Sequence, residues 1–207
     1  MKVEKPKINS LETAVFDKCI DELDFYGKFI ETNPTKDLWD DCKVDSCHFK
    51  KVDFTKNHFE CSEFLDVIFE NCDFSTIEFN DVNFHRCQFI NCKFAGTNFY
   101  KCIIKNVEIR SSLLCMANFS NGKMDKIKIE DSNFEESRFF QMNLKEFEIL
   151  NLNFTKAEFF ETSLKDIDFS KSEIEGITLD LNSIKGIKVN SNQAIRLASL
   201  LGIQVID

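Results

Sequence analysis

Large apolar residues recur at every fifth position of the chain from Val44 to Val189. The series begins with an unbroken run of phenylalanines from Phe49 to Phe99 and then continues in the same register through aliphatic residues and further phenylalanines. The residue two places before a member is small or apolar in nearly every repeat, and the other three positions are mostly polar. Helices repeat every 3.6 residues and strands every two, so a period of five predicts an internal-repeat architecture.

Several segments carry a specific form of this repeat. Cys72-Asp73-Phe74, Val82-Asn83-Phe84 and Ala117-Asn118-Phe119 match the pattern A/C-D/N-L/F-x-x, and in this the chain resembles the pentapeptide-repeat family. The resemblance implies an all-β fold, a right-handed quadrilateral parallel β-helix in which four pentapeptides form one square coil. We expect a short C-terminal helix and strand to follow it.

The physical basis of such a coil can be read from the spacing. A five-residue side points two residues inward and turns its corner with the other three. Successive coils then pair as parallel strands about 4.8 Å apart, which gives a rod roughly 35 Å long for seven to eight coils. Residues twenty apart should stack and hold the register of the coils through their rings. The expected column is Phe59, Phe79, Phe99, Phe119, Phe139 and Phe159.

The repeat divides the chain into three parts. Residues 1–40 are expected to form an N-terminal cap coil and loop, residues 41–189 the β-helix, and residues 190–207 a C-terminal dimerisation helix and strand. Residues 1–12 should be loosely ordered. From Val15 the rhythm runs in another register through Ile20, Phe25 and Ile30. The loop that follows is either functional or a connection that corrects the phase, and its candidate residues are Asn33, Pro34, Thr35 and Lys36.

The C-terminal part has the signature of a capped helix. Asn190 is the expected N-cap with Gln193 three residues later, an apolar helix runs on to Gly202, and residues 203–206 are expected to form a strand. Capping one rod end cannot absorb so many apolar side chains, so self-association through this part is expected. The expected dimer interface is Ile195, Leu197, Leu200, Leu201, Ile203 and Val205.

Composition argues against several classes of function. The net charge of −9 disfavours nucleic acid and anionic membranes as partners. No apolar run is long enough to span a membrane and no signal peptide is evident, so a cytoplasmic location is expected. Most of the nine cysteines follow the five-residue repeat and no CxxC pair occurs, so their spacing does not indicate a metal site. His48, His58 and His85 fall on different faces of the rod and cannot bind one ion together. We therefore expect no catalytic residue, metal site or cofactor, and no enzyme.

The outward charges are unevenly distributed when residues are sorted by the twenty-residue period. The net negative charge should be concentrated on two adjoining sides, because lysines nearly balance the acids on the other two, and it could attract the basic DNA-binding surface of a partner protein. The alternative is an acidic surface that serves solubility alone. The candidate partner-binding residues are Asp53, Asp73, Glu135, Glu136, Glu173 and Glu175 on one side and Glu60, Glu78, Asp81, Glu158, Glu161 and Asp180 on the other.

The C-terminal segments Gly186–Ala194 and Leu201–Ile206 also resemble the end of the Qnr-type quinolone-resistance proteins. That resemblance implies a DNA-mimicking homodimer that binds DNA gyrase or topoisomerase IV and protects it from quinolones. Several Qnr-type proteins carry a second loop in the middle of the rod, for which the unbroken register here leaves no room. The other hypothesis is an immunity or scaffold rod with a different protein partner. Leu113–Met116 is either an exposed apolar patch or a local irregularity.

Overall fold

The chain forms a β-solenoid. In this computed structural model, which describes residues 1–22, 25–35, 38–200 and 202–206, parallel strands stack in about eight turns. Paired residues are twenty apart, as in the pairs Phe59 with Phe79 and Phe99 with Phe119, so one turn takes twenty residues. The predicted all-β parallel solenoid with a C-terminal helix is confirmed. No helix in these residues is long and apolar enough to cross a membrane.

Short strands alternate with corners along the whole rod. The described strands are β1 Glu12–Ala14, β2 Lys28–Ile30, β3 Leu38–Asp40, β4 Lys43–Asp45, β5 His48–Lys50, β6 His58–Glu60, β7 Glu63–Leu65, β8 Ile68–Glu70, β9 Glu78–Asn80, β10 Asn83–His85, β11 Gln88–Ile90, β12 Asn98–Tyr100, β13 Ile103–Arg110, β14 Asn118–Ser120, β15 Lys123–Glu130, β16 Arg138–Phe140, β17 Asn143–Leu150, β18 Glu158–Phe160 and β19 Thr178–Leu179. The helices are α1 Phe16–Glu22 and α2 Ser191–Leu200.

The four sides of the rod differ in how their coils pair. An eleven-stranded sheet covers two adjoining sides, and in β13, β15 and β17 a single strand passes through the corner between them. An eight-stranded sheet from β3 to β19 forms the third side. The fourth side pairs through single bridges such as Asp53 with Asp73, and its turns close by hydrogen bonds such as Ala117 N–H to Leu114 O, 3.1 Å.

Stacked phenylalanines fill the interior. Ring centroids in the predicted column are 5.1 Å apart between Phe59 and Phe79 and 4.6 Å apart between Phe99 and Phe119, and neighbouring columns meet edge to face. These are favourable arrangements for aromatic pairs. Buried cysteines pack between the columns, and burial raises the pKa of the Cys87 and Cys102 thiols to about 12. All nine cysteines are free thiols, consistent with a packing role.

The N-terminal cap is a helix, where the sequence analysis expected a coil. Val15 is exposed, and Phe16 is fully buried with its ring 4.7 Å from that of Trp39 and 5.8 Å from that of Phe54. The first coil leaves its apolar interior open at one end, and one face of α1 presents Phe16 and Cys19 to it, three residues apart on the helix. The fivefold rhythm therefore predicted the wrong local structure at Val15 and Ile20. It holds at Phe25 and Ile30, which are buried, and β2 pairs with β5 as a coil requires.

Residues 1–11, which we call the N-terminal strap, lie along one corner of the rod. The Lys7 N–H donates to Asp66 (2.9 Å), the Glu4 N–H donates to Asn106 (3.3 Å), and the Met1 amino group pairs with Glu148. Val3 is buried. The expectation that this segment is loosely ordered is wrong, because hydrogen bonds and an ion pair attach it to several successive coils.

The strap covers an ion pair between Asp66 and Arg86, whose side chains are only 7% and 15% exposed. Burial alone raises the pKa of the Asp66 carboxyl, but hydrogen bonds from Arg86 and from the Lys7 N–H outweigh it and hold the pKa below its ordinary value of 3.8. A depressed folded pKa means that the pair stabilises the protein above pH 3.8 and that this contribution is lost as pH falls through the folded pKa.

We expect Asp66→Asn to lower the free energy of unfolding by about 2–3 kcal/mol at pH 7, since it leaves Arg86 without its partner. Urea unfolding at a series of pH values measures the difference, which should shrink as pH falls below 3.8. The matched control is Asp131→Asn, an exposed carboxylate hydrogen-bonded to Asn151, which should change stability by less than about 0.5 kcal/mol. A difference that does not vary with pH would contradict the assignment.

The other end of the rod is closed by α2. Asn190 and Gln193 cap the helix reciprocally, each accepting the other's backbone N–H at 3.0 and 2.9 Å, as predicted. The Gln193 amide also donates to the carbonyls of Phe169 and Ser172, which ties the helix to the last coils. Residues 203–206 do not form the predicted strand. In the described part of the chain no ladder or bridge joins them to another strand.

Candidate partner-binding faces

The candidate acidic residues fall on two adjoining sides of the rod. We call the side of residues 53–56 and their equivalents twenty residues apart the turn face, because its pentapeptides end in hydrogen-bonded turns. The side of residues 58–61 and their equivalents is the strand face, because it carries the eight-stranded sheet. Side chains on these faces repeat at the spacing of parallel strands, about 4.8 Å per coil.

On the turn face, some carboxylates hold the fold itself. Asp53 accepts hydrogen bonds from the hydroxyl of Thr55 (2.7 Å) and from its backbone N–H (2.9 Å), and these bonds lower the pKa of the Asp53 carboxyl. Asp73 accepts the same two bonds from Ser75. An Asp that caps the backbone two residues later favours a turn. These two carboxylates are thus turn-forming residues as well as surface charges.

Five of the twelve candidate carboxylates form ion pairs with bases of other coils or of α2. On the turn face Asp73 pairs with Lys93 (3.5 Å) and Glu136 with Lys156 (3.1 Å). The remaining pairs are Glu158 with Arg138 (3.2 Å), Glu173 with Arg196 (3.7 Å) and Glu175 with Arg196. The turn face is therefore less negative than a count of its acidic residues suggests.

The strand face keeps more of its charge. Among the described residues, Glu78 and Asp81 form no ion pair, while Glu60 and Glu161 accept hydrogen bonds only from the neutral amides of Asn80 and Gln141. Asp180 accepts the backbone N–H of Glu161, which is the main cause of the lowered pKa of its carboxyl, and the N–H groups of Ser183 and Asn182 lower it further. Within the described ranges, candidate carboxylates that form no ion pair are concentrated on this face.

The sequence analysis missed part of this acidic surface near the N-terminal end of the rod. Asp40 pairs in register with Glu60, and Asp41 lies one coil before the exposed Cys61. Desolvation and the nearby carboxylates of Asp41 and Asp81 raise the pKa of the Cys61 thiol, so these carboxylates are close enough to act together. The signal that could have found them is their spacing, since Asp40 lies twenty residues before Glu60 and Asp41 lies forty residues before Asp81.

Apolar side chains also reach the surface of both faces. On the strand face Tyr100, Phe140 and Phe160 are 36–40% exposed and lie in one column, with Ser120 between the first two. On the turn face Leu113 and Met116 are exposed, while Leu113 bridges regularly to the coils on either side. Leu113–Met116 is thus an exposed patch on regular backbone, and a local irregularity is excluded.

The expected dimer residues divide into two groups. Ile195, Leu200, Ile203 and Val205 are exposed, whereas Leu197 is buried against the end of the rod. Leu197 therefore helps to close the rod and cannot contact a partner in this conformation. Leu201 lies outside the described residues.

The candidate loop is tied to its surroundings by hydrogen bonds. Thr35 donates through its N–H and its hydroxyl to Asp17 of α1 at 2.9 and 2.7 Å, and the Asp53 N–H donates to the Asn33 side chain at 2.9 Å. Pro34 lies between them, and Lys36 is outside the described residues. These contacts favour a connection that fixes the cap helix on the rod, and the functional alternative stays a prediction.

Comparison with known proteins agrees with this architecture. Residues 82–159 match the family model described as a pentapeptide repeat region. Full-length QnrB1, a plasmid-mediated fluoroquinolone resistance protein, is 20% identical and superposes with a TM-score of 0.53 over 94% of this chain and 98% of its own. A trypsin-treated variant of QnrB1 gives 21% identity and a TM-score of 0.52 over 96% of this chain and 98% of its own. No curated protein sequence matches. This chain therefore has the solenoid fold of QnrB1, and its residues 82–159 match the pentapeptide-repeat model.

Proposed function

We propose that this protein is a cytoplasmic, non-catalytic binding rod that docks its acidic strand face on the basic DNA-binding surface of a type II topoisomerase and thereby weakens quinolone poisoning. The observation that carries the proposal is the set of strand-face carboxylates without a basic partner, among them Glu60, Glu78 and Asp81. Held on a stiff solenoid, they present negative charge at regular intervals, as a DNA backbone does. The shared fold with the resistance protein QnrB1 supports the same proposal.

Attraction between such a face and a basic surface depends on ionic strength. Charges that meet across a solvated interface are screened within about 8–10 Å at physiological salt, so binding should weaken steeply as salt is raised. Linear duplex DNA should compete for the same surface. Both properties would separate mimicry of DNA from a contact made mainly through apolar side chains.

The test uses the purified protein with purified DNA gyrase and topoisomerase IV. Biolayer interferometry at low and physiological salt, with duplex DNA as competitor, measures binding, and a gyrase cleavage assay with a quinolone measures protection. We expect salt-sensitive binding that DNA displaces, together with less cleaved DNA. If neither enzyme binds and overexpression leaves quinolone susceptibility unchanged, the proposal fails.

One observation favours the second hypothesis, an immunity or scaffold rod with another protein partner. Tyr100, Phe140 and Phe160 place an apolar column in the middle of the strand face, which a mimic of DNA charge does not require. Aromatic side chains of this kind are enriched in protein–protein interfaces. A partner recognised mainly through this column would bind with little dependence on salt, and duplex DNA would not compete for it.

We further propose that the protein acts as a homodimer joined through the C-terminal end, where Ile195, Leu200, Ile203 and Val205 are exposed close together in sequence. The double change Ile203→Asp/Val205→Asp should convert a dimer into a monomer, because it places charges in an apolar interface. Light scattering coupled to size-exclusion chromatography measures the mass. The control is Ile103→Asp, at an exposed apolar residue in mid-rod, which should leave the measured mass unchanged. If the unmodified protein is already a monomer, the proposal is wrong.

A further inference from the structure

The ladder of parallel strands is interrupted above β17. β17 pairs with β15 on one side only, whereas β13 and β15 pair on both. In the described chain no backbone hydrogen bond joins residues 143–150 to residues 163–170. The coils are joined again on either side of the gap, by Gln141 N–H to Phe160 O (3.1 Å) and by Glu173 N–H to Leu152 O (2.8 Å). The rod therefore has a local opening, which we call the β17 slot.

A mismatch of corner geometry explains the slot. Residues 143–150 pass their corner as one continuous strand, whereas the next coil makes a tight turn closed by the Ile167 N–H to Leu164 O bond (3.1 Å). Asp168 also accepts the Ser170 N–H (2.9 Å), as Asn153 accepts that of Thr155 on the turn face. Two corners of different shape cannot keep every carbonyl opposite an N–H group, so the ladder breaks between these coils.

The slot exposes side chains that are buried elsewhere in the rod. Phe147 and Ile149 are half-buried, whereas Ile127 and Ile129, which pair with them one coil earlier, are fully buried. Leu150 is 40% exposed at the rim. Phe147, Ile149 and Leu150 line a cleft of about 320 Å³. An unpaired strand edge beside an open apolar floor is a typical site for an added strand.

The rim of the cleft is acidic. Glu130, Glu148, Asp166 and Asp168 line it together with Lys128, which pairs with Glu130 at 2.7 Å, and Lys188 of the next coil pairs with Asp166 at 3.6 Å. The hydrogen bond to Glu130 is the main cause of the raised pKa of Lys128. Glu148 already holds a positive charge, the amino group of Met1 at the end of the extended strap. Of the four rim carboxylates only Asp168 forms no ion pair in the described chain, so the rim keeps a small net negative charge, which favours a basic occupant.

We propose that the β17 slot binds an extended peptide segment of a partner protein in which apolar and basic side chains alternate, and that this segment adds to the open edge of β17 as a further strand. Its backbone would pair with the free N–H and C=O groups of residues 143–150. Alternate side chains on a strand point to opposite faces, so its apolar residues would cover Phe147 and Ile149 while its basic residues reach the carboxylates of the rim.

The same charge disfavours two other occupants. Nucleic acid is negatively charged, like the rim, and would be repelled by it. The exposed C-terminal residues 203–206 of a second copy are Ile-Gln-Val-Ile and bring no basic side chain. This proposal is independent of topoisomerase binding, which uses the strand face on the other side of the corner at residues 141 and 161.

The test uses the full chain and a fluorescent probe peptide, acetyl-Lys-Val-Lys-Val-Lys-Val-Lys-amide. Anisotropy measures binding, and hydrogen exchange measures the protection of individual amides. We expect saturable binding, with slower exchange confined to residues 143–150. A peptide with Glu in place of every Lys, and one with N-methylated valines that cannot pair through their backbone, should each bind at least about tenfold more weakly.

A pair of matched variants completes the test. Leu150→Lys should weaken binding of the probe by at least about tenfold, since it adds a positive charge at the rim and removes part of the apolar floor. Leu113→Lys, at an equally exposed leucine on the turn face, should change binding less than about twofold. No saturable binding, protection elsewhere than 143–150, equal binding of the acidic or N-methylated peptide, or equal loss in both variants would each overturn the proposal.

Discussion

Phe119→Ala is expected to lower the free energy of unfolding by about 3–5 kcal/mol, the cost of removing a large side chain from a packed core. Phe119 is fully buried, and its ring stacks on Phe99 at 4.6 Å and on Phe139 at 4.8 Å. The backbone ladder fixes the distance between coils, so the neighbouring rings cannot close over the cavity. The loss should therefore fall near the upper end of that range.

Denaturant unfolding followed by circular dichroism measures this effect. Phe140→Ala is the matched control, because Phe140 is the next residue along the chain from Phe139 but points outward and is 40% exposed. It should cost less than about 1 kcal/mol. Equal losses in the two variants would mean that the stacked column contributes no more to stability than a surface ring does.

The second large effect concerns partner binding. Under the proposed function, the double change Glu78→Lys/Asp81→Lys should weaken binding to the topoisomerase at physiological salt by at least about tenfold and up to about a hundredfold. In the described chain these two carboxylates form no ion pair, so no ion pair has to break before they meet a basic surface. Reversing them places positive charge against a basic surface.

The control for this prediction changes the net charge by the same amount on other sides of the rod. Glu63→Lys/Glu146→Lys lies on the eleven-stranded sheet and its corner, away from the turn and strand faces. Its binding should stay within about threefold of the unmodified protein, because screening weakens the effect of distant charges. If both double variants lose binding equally, net charge and not the strand face determines recognition.

Much of the rod could be predicted from the sequence because one pattern specifies several levels of structure at once. A residue such as Phe59 points inward, stacks on Phe79 and sets the register of its strand, so the period of five gives the coil, the core and the pairing together. The same pattern could not predict the cap helix α1. Phe16 is buried by the open end of the first coil, a tertiary contact that the local rhythm does not encode.

The candidate faces were predictable in outline only. Sorting by the twenty-residue period placed the acidic residues on two sides, but it could not show which of them pair across coils, as Glu136 does with Lys156. Pairing with Arg196 depends on how α2 folds back on the rod. The β17 slot had a readable signal, an Asp or Asn two residues before Ser or Thr, as at Asp168 and Ser170, which marks a tight turn where the preceding coil has none.

The corners of the rod have a consequence for how it assembles. From Asp41 to Asp166 nearly every fifth residue is a non-glycine with φ between 46° and 67°, a conformation that costs free energy wherever a Cβ is present. A solitary coil would carry four such residues with no neighbouring coil to offset their cost. Nucleation on one coil is therefore unfavourable and growth on an existing stack is favourable, so the rod should fold in one cooperative step, and fragments of one or two coils should remain unfolded.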